Sequence, residues 1–173
     1  MARRFRGEST HKVDAKGRVS IPAAFRRVLE EGDPDWSKGL FPTLILVYGG
    51  KGRKFIEGYT VNAMADLESR IEDLKLGSKK RRYMEHTFLT QSLQVQVDPT
   101  GRLVLSQKLR DKFGITNEAV FAAAGTTFQI WEPSAHEDNA TRMDEWFDED
   151  DWLDDENQMV DPLVLLDTAS TGE

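Results

Sequence analysis

The chain has 173 residues, enough to bury a core as one compact domain or as two small ones sharing it, and a formal net charge of −7. Cysteine is absent, which excludes a disulfide frame and a thiolate metal site and points to a reducing, cytoplasmic setting; there is no apolar signal segment at the N-terminus and no run near the roughly 20 apolar residues of a membrane span. The charge is polarised, because residues 132–173 hold fifteen Asp and Glu against Arg142 alone, so residues 1–131 carry +7, a modest footprint of a polyanion binder.

In chain order, Arg3, Arg4 and Arg6 lead into the first unit, where they could grip phosphates, and His11 follows. A lone histidine in a strand is ordinarily structural. Residues 13–29, VDAKGRVSIPAAFRRVL, recur without a gap at residues 97–113 as VDPTGRLVLSQKLRDKF. Val13/Val97, Asp14/Asp98, Gly17/Gly101, Arg18/Arg102 and Arg26/Arg110 are identical, and Val19, Ile21, Phe25 and Leu29 face Leu103, Leu105, Leu109 and Phe113. Leu93, Val95 and Val97, then Leu103 and Leu105, alternate with polar neighbours at period two, which predicts a β-hairpin around the loop Asp98 to Arg102. Pro99 suits the second position of a tight turn and Gly101 its positive φ, and the first copy follows the same plan.

Each second strand runs into a short helix, with Pro22 suited to a first turn and Ser106 to an N-cap, while Gly32 and Gly114 end the helices. A further strand pair follows in each copy: Thr43 to Tyr48 with Arg53 to Gly58, and Ala119 to Ala124 with Thr127 to Glu132. Lys51, Arg53 and Lys54 occupy the first of these turns, as solvated surface or as phosphate contacts. Between the copies, Val61, Met64, Leu67, Ile71 and Leu74 form the apolar stripe of a helix packed across the sheets. Lys79, Lys80, Arg81 and Arg82 then open a second helix where its dipole disfavours positive charge. That placement suggests an external anion, or pairing with Glu85 or with acidic residues of another chain.

Enzyme signatures are missing: His11, His86 and His136 are far apart, and no nucleophile elbow, P-loop or dinucleotide fingerprint occurs. No catalytic residue, metal ligand, cofactor or small-molecule site is expected. The best candidate site is the repeated Asp-x-x-Gly-Arg loop. Arg18 and Arg102 each present a planar fork able to bind guanine O6 and N7 together, and a two-stranded ribbon is narrow enough for a major groove. Asp14 and Asp98 could hold these guanidinium groups by short ion pairs, with Gly17 and Gly101 shaping the turns. One such loop is most simply a turn closed by an Asp–Arg bridge. Two copies favour function, because a surface salt bridge contributes only about 0–1 kcal/mol and gives a diverged repeat little reason to keep it twice.

These residues resemble the MraZ family, bacterial transcriptional regulators built from two AbrB-like units. The resemblance covers roughly residues 5 to 135: Phe5 to Gly7, DAKGRVSIPAAFR, the helical linker with its basic cluster, DPTGRLVLSQKLR, and FQIWEP around Trp131. It implies an α+β fold in which two AbrB-like swapped-hairpin units form one pseudo-twofold barrel with helices outside. The units span residues 8–62 and 92–135, with a helical linker at 63–91 and an acidic tail at 136–173 that begins as a helix end and continues as solvated, disordered chain. It also implies DNA binding by Arg18 and Arg102, to which Lys16, Arg3, Arg4, Arg26 and Arg110 are added as further DNA contacts. The implied partners are double-stranded DNA, as short repeats in the promoter of the cell-division and cell-wall gene cluster, and further copies of the chain in a homo-oligomeric ring on the nucleoid. Two features depart from the pattern: Ser106 stands where the first copy has a proline, and the tail is long, with Trp146, Phe147, Trp152 and Leu153 among its carboxylates. An antitoxin-like protein whose acidic tail wraps a basic partner, and a purely structural ring, are the alternatives.

Overall fold

In the computed structural model, residues 4–149, 162–164 and 166 are described. The first copy supplies β1 (Glu8–Lys12), β2 (Arg18–Ser20), α1 (Ala23–Glu31), β3 (Thr43–Val47) and β4 (Phe55–Thr60). The linker supplies α2 (Val61–Glu72), α3 (Lys79–Glu85) and a π-helical turn at His86–Thr90. The second copy repeats the first order: β5 (Ser92–Gln96), β6 (Arg102–Val104), α4 (Gln107–Phe113), β7 (Glu118–Ala124) and β8 (Thr127–Trp131). Helix α5 (Pro133–Glu149) follows, with the Glu132 carboxylate accepting hydrogen bonds from the backbone N–H groups of Ser134 and Ala135 at its start. The expectation of a disordered tail falls mainly on residues after Glu149, most of which lie outside the described ones. Residues to Ala135 and those from His136 onward form two units.

The strands pair in a way that alternation alone does not reveal. All pairings are antiparallel, in a six-stranded sheet of order β1-β7-β8-β4-β3-β5 and a separate ribbon of β2 with β6. Exchanging the two copies maps the six-strand order onto its own reverse, so the strand order is symmetric about the β4–β8 pair. The sheet ends on β1 and β5 as edges, and the class is mixed α+β.

The expected hairpins need correcting. The turns close locally, with the Asp14 N–H donating to the Arg18 carbonyl at 3.0 Å and the Asp98 N–H to the Arg102 carbonyl at 2.8 Å. Beyond the turn, however, the flanking strands part: β1 pairs with β7, β5 with β3, and β2 with β6, each from the opposite copy. Period two fixes which face of a strand is apolar but not which strand lies beside it. In a duplicated chain the other copy offers an equally well-patterned partner. The expected pairs β3–β4 and β7–β8 are present.

The core draws on both copies. Phe5 and Phe25 from the first meet Phe121 and Phe128 from the second, with ring centroids 5.1–6.4 Å apart. Leu29, Leu44, Leu46, Ile56 and Ile130 are fully buried around them. Met64 of α2 packs on Val47 and Tyr59, giving the predicted stripe its place on β3 and β4, and Ile71 is buried too, whereas Leu74 lies past the helix end.

The basic cluster of α3 also finds internal explanations. Arg81 donates through Nη1 to the carbonyls of Glu72 and Leu74 at the C-terminal end of α2, where the dipole welcomes a cation, and Nε lies 3.8 Å from Glu85. Arg53 is likewise engaged: it pairs with Glu57 at 2.9 Å and lies over the rings of Phe55 and Phe88. Of the two clusters, Lys51, Lys54, Lys79, Lys80 and Arg82 remain exposed.

Candidate nucleic-acid interface

The β2–β6 ribbon brings the two repeated loops together. Its register sets Arg18 opposite Val104, Val19 opposite Leu103, and Ser20 opposite Arg102. Opposed residues of an antiparallel pair share a face, and alternate residues along each strand share it too. Val19 and Leu103, each 1% exposed, therefore plug the core, while Arg18, Ser20, Arg102 and Val104 line the outer face. Both arginines thus stand on one narrow surface rather than on two separate hairpin tips. Diagonal neighbours in such a ribbon lie ~7–8 Å apart at the backbone, roughly two base-pair steps.

Each arginine is held by its own loop aspartate. Arg18 donates through Nε to Asp14 Oδ2 at 2.6 Å, and Arg102 to Asp98 Oδ2 at 3.0 Å. The second oxygen of each carboxylate accepts backbone N–H groups: Lys16 and Arg18 on Asp14, Thr100 and Arg102 on Asp98, all at 2.9 Å. The Thr100 hydroxyl adds a bond of 2.8 Å to Asp98. Anchoring through Nε orients the guanidinium plane and leaves Nη1 and Nη2 without hydrogen-bond partners among the described residues. The side chains are about one-third exposed, Arg18 37% and Arg102 32%.

The electrostatics of the loops follow from these bonds. The backbone N–H of Arg18 leads in holding the Asp14 carboxyl below its ordinary value, with the Arg18 side chain and the Lys16 N–H adding to it against partial desolvation. At Asp98, desolvation pushes upward, but the bonds from Arg102 and Thr100 outweigh it and bring the carboxyl down to about 2. Both loops therefore carry a fixed carboxylate beside a fixed guanidinium at neutral pH.

The loop glycines are required by space as well as by φ. Gly17 has φ 81°, and its carbonyl accepts the Leu105 N–H at 2.8 Å; Gly101 has φ 78°, and its carbonyl accepts the Ile21 N–H at 3.0 Å. A Cβ on Gly17 would fall 2.1 Å from the Leu105 carbonyl oxygen and 2.9 Å from Arg110 Nε, and one on Gly101 would fall 2.2 Å from Arg26 Nη1. Arg110 of α4 thus backs the first loop, and Arg26 of α1 backs the second. Arg110 is further held by its Nε bond to the Leu105 carbonyl at 3.0 Å, and Arg26 Nε is buried without a partner. Both were expected as DNA contacts; each lies against the loop glycine of the opposite copy.

The remaining candidates divide. Lys16 is exposed at the tip of the first loop. Arg4 is not brought to the ribbon: it lines a cavity of about 260 Å³ with Val28, Glu31 and Gly32, the end of α1 away from the ribbon, and Arg3 lies outside the described residues. His11 is structural in its surroundings, hydrogen-bonded to Ser9 Oγ at 2.7 Å and packed edge-on to Phe121, with burial lowering its pKa. Val104 and Ser20 escaped the sequence reasoning, because only the register of β2 against β6 shows that they flank the arginines.

Comparison with known proteins bears on this ribbon. Residues 4–46 and 88–154 match the model of a family described as "MraZ protein, putative antitoxin-like". The chain belongs to the MraZ family. A transcriptional regulator MraZ of Ruegeria pomeroyi is 53% identical over 150 residues, which cover 86% of this chain and 90% of the relative. A protein of the same name from Cereibacter sphaeroides is 47% identical over 143 residues, 79% of this chain and 84% of the relative. Another, from Parvibaculum lavamentivorans, is 37% identical over 132 residues, 76% and 78% of the two chains. The two segments matched by the MraZ model contain both loops and every residue of the β2–β6 ribbon, and they omit α2 and α3.

Proposed function

We propose that this MraZ-family protein is a sequence-specific DNA-binding transcriptional regulator whose contact surface is the outer face of the β2–β6 ribbon. The observation that carries this is the placement of Arg18 and Arg102 on one narrow ribbon face, each anchored through Nε with its terminal nitrogens without hydrogen-bond partners among the described residues. Such a ribbon fits the major groove, and each guanidinium is preset to take O6 and N7 of a guanine. Lys16 holds a flanking phosphate, and Arg26 and Arg110 act from behind, keeping the loops in place. The names of the relatives support regulation of transcription as the setting.

In this account the targets are short repeats in the promoter of the cell-division and cell-wall gene cluster, and several chains in a homo-oligomeric ring present several ribbons to them. Joining weak sites on one rigid assembly raises avidity by about 10² to 10⁴ where their spacing matches the DNA. The swapped strand pairings support the interlocked architecture implied by the family resemblance.

The test is a gel-shift titration of the protein against the DNA upstream of its own gene and against unrelated DNA of equal length. Binding should fall with salt, with a log–log slope of about −0.9 for each phosphate neutralised. Arg18→Ala should lose about 1–3 kcal/mol of preference for the upstream fragment, whereas Lys16→Ala should weaken both fragments alike and reduce the slope by about one. An Arg18→Ala protein that keeps full preference would end the proposal.

A further inference from the structure

The repeat relates Arg18 to Arg102, but it does not relate their neighbours chemically. On the outer face of the ribbon, Arg102 stands opposite Ser20, a small hydroxyl, whereas Arg18 stands opposite Val104. Val104 is a β-branched aliphatic side chain with 53% of its surface exposed, directly opposite Arg18 and outside every cluster of the core. Its chain neighbours, Leu103 on β6 and Leu105 just past its end, are buried, so alternation explains why Val104 points outward but not why it is apolar. The equivalent position in the first copy shows that serine is compatible with this backbone.

In the major groove the one aliphatic group on a base edge is the C5-methyl of thymine, and apolar side chains are what contact it. We propose that Val104 is a specificity-determining residue that packs on a thymine methyl beside the base read by Arg18, while Ser20 makes no such contact beside Arg102. The ribbon therefore reads an asymmetric site: two positions read by arginine about two base-pair steps apart, with a thymine required next to one of them only. This gives a pseudo-symmetric protein a direction on the DNA. It rests on the proposal that the ribbon face binds DNA, and it adds the residue that breaks the symmetry of that face.

The test uses the full-length protein, its Val104→Ser variant, and the upstream DNA fragment made either with thymidine or with deoxyuridine throughout, which removes only the C5-methyl groups. The wild-type protein should bind the deoxyuridine fragment more weakly by about fourfold for each ribbon engaged, the effect of roughly one buried methyl group per ribbon. Val104→Ser should bind the thymidine fragment more weakly by a similar factor and should lose little further affinity for the deoxyuridine one. Equal losses in wild type and variant would overturn the proposal, since the methyl effect would then not pass through residue 104. Arg18→Ala serves as the separate control. If it lowers preference for the upstream fragment while residue 104 and the methyl groups stay uncoupled, only the role of Val104 falls. If neither variant changes recognition, the ribbon face itself is not the DNA-binding surface. A circular dichroism melt of Val104→Ser unchanged from wild type keeps the comparison free of folding effects.

Discussion

Gly17 and Gly101 hold together the two demands of this site, a tight turn and a close approach of the other copy. With φ of 81° and 78°, each lies where an L side chain is strained, and each would drive a Cβ into the opposite copy. Gly17→Ala is therefore expected to cost about 1–3 kcal/mol, because the Leu105 carbonyl it meets is backbone and cannot swing aside. Urea denaturation should show a lower midpoint at an unchanged slope. Gly101→Ala meets the end of the Arg26 side chain instead and should cost less. The carboxylates give a prediction in pH. The Asp98 value of about 2 lies below that of an unfolded aspartate, about 3.9, so its contribution to stability is complete above pH ~4 and is lost as pH falls toward 2. A carboxyl-carbon titration by NMR should place Asp98 near 2, and Asp98→Asn should flatten the acid limb of the stability curve.

At the scale of elements, the ribbon is short, with three opposed pairs, and its hold on the body comes from the inward Val19 and Leu103. Leu103→Ala should cost about 2–5 kcal/mol, read as a lower urea midpoint, because a fully packed leucine leaves a cavity. Arg81→Ala should cost about 0.3–1 kcal/mol by uncapping α2, with no change in DNA binding at fixed salt. The repeat, the turns, the start of α4 at Ser106 and the stripe of α2 were legible in the sequence because each is a local pattern: glycine at a positive φ, a hydroxyl at an N-cap, apolar residues at helical spacing. The pairs β3–β4 and β7–β8 were legible too, but the partners of β1, β2, β5 and β6 were not. Nothing local distinguishes β6 beside β5 from β6 beside β2, since both offer the same alternation. That one ambiguity hid the shared face of Arg18 and Arg102, the exposure of Val104 opposite Arg18, and the station of Arg26 and Arg110 against the loop glycines of the opposite copy.

Across the whole molecule, charge is arranged against itself, with +7 on residues 1–131 and −14 on residues 132–173. An acidic segment that competed with DNA for a basic face would make deletion of residues 144–173 tighten DNA binding at low salt and leave it nearly unchanged at high salt, where such competition is screened. Equal affinity of the shortened and full chains at low salt would remove the tail from the account. Uptake of guanine edges by Arg18 and Arg102 from one ribbon is measured by replacing guanine with 7-deazaguanine in the upstream fragment, which deletes the N7 acceptor and leaves O6 in the groove. The wild-type protein should lose about tenfold or more in affinity, and the Arg18→Ala/Arg102→Ala double variant should bind both DNAs alike. A double variant as sensitive to the substitution as the wild type, or a wild type indifferent to it, would contradict the account.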